Sequence, residues 1–232
     1  MALFSDAGVE FLLRWLHFLA GITWIGLLYY FNFVQGPFFA ETDAATKSNA
    51  TQKLVPRALW WFRWSALVTF LSGGTIIVKR WMAAPPDVSV ARSPWGVAIL
   101  SGALLGTVML FNVWRVIWPN QKVVIAAAGG QANPAAGAAG RRAFLASRTN
   151  VVLSIPMLFF MGAASHLPPR VGASTTAYWV GLLVVVALVE LNALKATTGA
   201  TTKPIEKVSG VITTGFVVWA VLYAMVQFGL AG

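Results

Sequence analysis

Apolar residues dominate the chain in six runs, at 10–34, 58–80, 95–118, 144–166, 175–194 and 207–230, separated by shorter polar stretches rich in Lys, Arg, Gly and Pro. Each run approaches the roughly 20 residues that a helix needs to cross a ~30 Å hydrocarbon layer. Polar positions inside the runs are few and isolated, so no run has the two-sided patterning of a helix on a soluble core. The pattern predicts an all-α, polytopic bundle of six transmembrane helices forming a single membrane domain over 1–232.

Between the runs the punctuation is uneven. Gly36-Pro37 predicts a helix break after the first run, the polar stretch TDAATKSNATQKLVPR that follows has room for a short surface helix, and Pro56 restarts the chain as ALWWFRW. Residues 126–140, AAAGGQANPAAGAAG, lack large apolar side chains and predict a flexible linker. Gly102 and Gly106 form a small-xxx-small pair suited to close helix packing. Trp60, Trp61 and Trp64 suit an interfacial aromatic belt.

Composition agrees with the pattern. Of 232 residues 58% are apolar and 10% charged, well away from the balance of a soluble domain. The 17 Lys and Arg against 7 Asp and Glu would suggest a nucleic-acid partner in a soluble chain. In a membrane protein they report orientation instead. Loops after the first, third and fifth spans carry ten basic residues (Lys47, Lys53, Arg57, Lys122, Arg141, Arg142, Arg148, Lys195, Lys203 and Lys207). The opposite side carries five (Arg14, Lys79, Arg80, Arg92 and Arg170). Both termini are therefore expected outside the cytoplasm, with lipid as the principal neighbour and no role for nucleic acid. The acidic leader with Asp6 and Glu10 has no positive n-region, so the first span is read as a permanent helix rather than a signal peptide.

There is no cysteine, which excludes disulfides, Cys-ligated zinc, iron–sulfur clusters and covalent c-type haem attachment. Nucleotide-binding glycine loops and hydrolase or metalloprotease motifs are absent as well. The remaining chemistry lies in ionisable and amide groups within the spans, which default to the bundle interior or a cavity. A buried Arg–Glu pair or an interfacial position, rather than a proton relay, is expected for Glu190, Arg63 and Arg115.

The chain has 2 histidines. His17 falls in the outer half of the first span and His166 at the outer end of the fourth, just before Leu167-Pro168-Pro169 stops the helix. Gly21 and Gly162 lie one turn deeper on the same helix faces, and Arg14 and Arg170 lie on the outer side. Two imidazoles, two glycines and two arginines make a slot for a b-type haem, with His17 and His166 as iron ligands and the arginines toward its propionates. The plainer alternative is a histidine hydrogen-bonded in the interface and arginines that snorkel to headgroups.

The segments RWLHFLAGITWIGLLYYFNFVQ (14–35), ALWWFRW (58–64), LFNVWRVIWPNQK (110–122) and RTNVVLSIPMLFFMGAASHLP (148–168) resemble the urate oxidase N-terminal family, the membrane domain of bacterial cytochrome-c-linked urate hydroxylases. The last two spans carry no diagnostic motif of it. The resemblance implies a membrane domain followed by a c-type cytochrome, with urate oxidised and electrons passed to cytochrome c. The sequence contains no CxxCH, so it resembles a short form without that module. It strengthens the case for His17 and His166 as haem ligands. Two functions follow as expectations: a haem b redox protein that passes electrons to a cytochrome or larger redox complex, or a non-catalytic structural subunit of a membrane complex.

Overall fold

A computed structural model describes residues 2–172, 174–195 and 198–229. Among them the chain is helical with no strand. The helices are α1 (Asp6–Glu41), α2 (Ala44–Lys53), α3 (Val55–Met82), α4 (Pro94–Ala128), α5 (Ala136–His166), α6 (Thr176–Lys195), α7 (Lys203–Glu206) and α8 (Val208–Gly229). Of the described residues, α1, α3, α4, α5 and α8 are five helices long and apolar enough to cross a membrane, and α6 contributes a shorter apolar helix over Thr176–Asn192.

The helix starts follow local chemistry. Ser5 accepts from the Gly8 amide at the head of α1, and Ser93 does the same for Gly96 at the head of α4, each satisfying an amide that lacks an intrahelical partner. Asp43 caps α2 through the amides of Ala45 and Thr46, both at 2.9 Å. The expected surface helix therefore forms.

Two expectations about helix ends are corrected. Gly36-Pro37 does not break α1. The segment Tyr30–Gln35 widens into a π turn that places the Gly36 amide on the Phe31 carbonyl, and Pro37 then sits in the first turn of the continuing helix. Proline clashes with the carbonyl four residues back, and a wide turn just before it removes that clash. α4 repeats the device: Asn112–Ile117 is a π turn and Pro119 follows it. The stretch 126–140 is likewise helical at both ends, because its alanines extend α4 to Ala128 and open α5 at Ala136. Only a short turn remains between them.

α5 is the most enclosed of the long helices. It packs chiefly against α4 and α8, and also meets α6 and α1, while α1 packs chiefly on α3. Glycines set the closest approaches. A Cβ at Gly102 would lie 3.2 Å from Met161, and one at Gly106 3.4 Å from Met157 Sδ, so this small-residue pair seats α4 on α5. Pro156 inside α5 frees the Val152 carbonyl, and a Cβ at Gly215 of α8 would meet that oxygen at 3.3 Å. The outward faces of α1, α3 and α8 expose Phe11, Trp15, Phe18, Trp60, Trp61, Phe216 and Val217, surfaces compatible with lipid contact.

Candidate functional site

α1 and α5 run antiparallel, joined by two hydrogen bonds. The Tyr29 and Ser154 hydroxyls lie 2.9 Å apart, and Asn32 Nδ2 donates to Ser147 Oγ at 2.8 Å. His17 stands twelve residues before Tyr29, and His166 twelve residues after Ser154. At 1.5 Å per residue each imidazole lies about 18 Å along its helix from the same crosslink, in the same direction. The two histidines thus share a level along the bundle.

Their surroundings differ. His17 is half-buried against α3. Its Nδ1 lies 2.8 Å from the Thr69 carbonyl and 3.3 Å from Ser72 Oγ. A carbonyl only accepts, so Nδ1 donates, and in the neutral ring Nε2 keeps its lone pair free. Gly73 makes room for this arrangement, since a Cβ there would fall 2.7 Å from His17 Cε1. Thr69, Ser72 and Gly73 are site residues that sequence reasoning missed. The signal available was the Ser-Gly-Gly run in an otherwise bulky span.

His166 is the last residue of α5 and is exposed. Gly162 has open space where a side chain would be, whereas Gly21 faces α3, where a Cβ would lie 3.8 Å from Thr69 Cγ2. Arg14 pairs with Glu10 at 2.6 Å, and Arg80 joins the same carboxylate at 3.2 Å. Lys79 and Asp6 form a further pair at 2.9 Å. Arg14 is thereby held at the end of α1 in a charge cluster tying it to α3. Arg170 is exposed beyond the end of α5. The structure brings His17 and Arg14 to the α1–α3 seam and leaves His166, Gly162 and Arg170 at the end of α5.

A second polar layer lies at the level of the two π turns. Widening the helix aims one asparagine from each turn at α5: Asn32 at Ser147, and Asn112 at Asn150 Oδ1, 2.9 Å away. Asn112 Nδ2 also donates to Glu190 Oε2 at 3.0 Å, and Asn150 Nδ2 to the Met109 carbonyl at 3.0 Å. Glu190 therefore pairs with an amide, and of the two placements expected for it the Arg–Glu pair does not form among the described residues. Arg63 lies over the Trp118 ring at 3.9 Å, and Arg115 is exposed. Arg148 is buried beside Phe144, with Nε and Nη1 lacking any acceptor.

Beside this layer, a cavity of about 150 Å³ opens among Asn32, Gln35, Phe62, Gln121, Phe144 and Ser147. It is well below the roughly 300–1,000 Å³ of ordinary ligand pockets, and suits a few waters that would satisfy the buried Gln35 Oε1. It does not adjoin the histidines.

Long apolar helices packed through glycines and intramembrane amides define a multi-pass helical membrane protein. The urate oxidase N-terminal family matches residues 88–225, more than half of the chain, and the chain belongs to that family. The match takes in α6 and most of α8, where no diagnostic motif was legible, and begins after α3. No curated protein and no solved structure matches the chain.

Proposed function

We propose that this protein is an integral-membrane redox protein of the bacterial inner membrane, with six spans and both termini outside, that binds haem b and passes electrons to a c-type cytochrome or a larger redox complex. The observation that carries the reading is the state of His17: Nδ1 donates to a backbone carbonyl, and Nε2 is left with a lone pair in a half-buried, apolar setting. Second-shell anchoring of this kind orients imidazoles that ligate metals. His166, at the same level on the antiparallel helix, is the second ligand, and the open space at Gly162 leaves room beside it. Arg170 is the cation free to meet a propionate, while Arg14 would share itself with Glu10. A bound haem supplies a one-electron couple whose potential follows its axial ligands and burial. The chain's own part is to fix the His17 tautomer through Thr69 and to hold the ring against Gly73.

The test is a reduced-minus-oxidised spectrum with a pyridine haemochrome count on the wild type, His17→Ala and His166→Ala. The reading expects a low-spin haem b spectrum in the wild type and its loss or conversion to high spin in each variant. A well-folded wild type without haem would sink it. The structural-subunit reading would then gain from the exposed tryptophans of α3, Trp60 and Trp61, which offer an aromatic face for a neighbouring membrane protein.

A further inference from the structure

The Asn112–Glu190 pair leaves two buried oxygens without a donor, Asn112 Oδ1 and Glu190 Oε1. Asn112 is fully buried, and both hydrogens of its Nδ2 are used, one toward Asn150 Oδ1 and one toward Glu190 Oε2. An amide and a carboxyl that already share one N–H···O bond on one side can share a second on the other, provided a proton joins the two remaining oxygens. The two orphaned atoms are the ones that such a proton would bridge. We propose that Glu190 is a resident proton-carrying site: a neutral carboxylic acid whose Oε1–H donates to Asn112 Oδ1, closing an eight-membered acid–amide ring inside the bundle.

The surroundings favour the neutral acid. An ionised carboxylate here would place two bare acceptors together away from water, and buried acceptors without donors are costly. On α6 itself Lys195 is exposed at the last turn and forms no ion pair with Glu190 among the described residues, and on α5 the candidate counter-ion is Arg148. It lies two residues from Asn150, which turns it about 200° around the helix, and it forms no ion pair with Glu190 among the described residues. Arg115 on α4 is exposed, and α8 carries no charged residue. The π turn of α4 is what turns Asn112 to Glu190, and Asn150 holds the amide in that orientation by accepting from it. Release of the proton would strip the ring of one bond and expose both oxygens to each other. Glu190 is therefore a group that takes up or gives up a proton together with a local rearrangement of α4 and α6.

The experiment is infrared spectroscopy of the full-length protein in lipid nanodiscs at mildly alkaline pH, with glutamate isotopically labelled. The chain has only 7 Asp and Glu, so the background is low. The expected result is a carboxylic acid C=O band that shifts down in D2O, responds to the glutamate label and disappears in Glu190→Gln. That variant should melt close to the wild type, since its carboxamide can donate to Asn112 Oδ1 as the acid does, whereas Glu190→Ala should melt lower. Should Glu190→Gln fail to fold, the labelled wild-type band decides alone. Absence of any acid band in the wild type would overturn the proposal. So would sodium- or potassium-dependent melting that is lost in Glu190→Gln, because the oxygens would then hold a cation in place of a proton.

Discussion

Tyr29 and Ser154 share a hydrogen bond of 2.9 Å that fixes the register between α1 and α5, and with it the level at which His17 and His166 stand. Removing the phenol oxygen should weaken this register without opening a cavity. Tyr29→Phe is expected to cost about 1 kcal/mol, within the usual range for one hydrogen bond and above the average inside membranes. Equilibrium unfolding in detergent of Tyr29→Phe, Ser154→Ala and the double variant would check it. The double variant should lose less than the sum of the two singles; strict additivity would mean the two hydroxyls do not interact.

Much of this architecture is legible in the sequence, and the illegible part has definite physical causes. Six apolar runs announce their helices because lipid leaves the backbone no alternative to internal hydrogen bonding. The ends are harder. Gly36-Pro37 reads as a stop, but the π turn at Tyr30–Gln35 absorbs the proline, and nothing local distinguishes a widened turn from a broken one. His17 stands out by rarity, yet its anchor depends on which face α3 presents, and that is a matter of tertiary packing. Glu190 was expected beside an arginine or at an interface because charge complementarity is the simplest rule for a buried carboxylate. The structure pairs it with Asn112, 78 residues away.

Orientation is testable because the chain has no native thiol. Gly129 ends α4 in the short turn before α5, on the side where basic residues concentrate. Gly129→Cys should be shielded from membrane-impermeant maleimide in intact cells and become labelled once the membrane is opened. Labelling in intact cells would reverse the bundle, since Lys and Arg are retained on the cytoplasmic side.

The surface helix α2 should loosen in acid. Asp43 accepts from the Thr46 hydroxyl and from the Thr46 and Ala45 amides, and these bonds hold its carboxyl below the usual carboxylate range. A depressed folded pKa means that the contribution of Asp43 is fully present above its unfolded value and is lost as pH falls through the folded value. Hydrogen exchange corrected for the intrinsic pH dependence should show the amides of Ala45 and Thr46 losing protection on acidification. Asp43→Asn, which still accepts at an N-cap, should remove the pH dependence while keeping much of the protection. Protection of the Ala45 and Thr46 amides that does not change with pH in the wild type would contradict the capping role.

Gly73 gives the most demanding prediction, because it separates the packing of His17 from its chemistry. A methyl group at this position would lie 2.7 Å from His17 Cε1, closer than real contacts allow, and a tight 3.0 Å from Nδ1, so the ring must leave the groove or the helices must part. Overpacking of this kind costs about 1–3 kcal/mol. The Nδ1 hydrogen bond to the Thr69 carbonyl breaks in the same movement, which frees the ring to adopt the other tautomer. Gly73→Ala should therefore lower the melting temperature and, on the proposed haem reading, weaken haem retention with it. Gly74→Ala, next in the chain, meets nothing within 4 Å and should change neither. Equal behaviour of the two variants in melting and in haem content would show that α3 does not seat His17 as described.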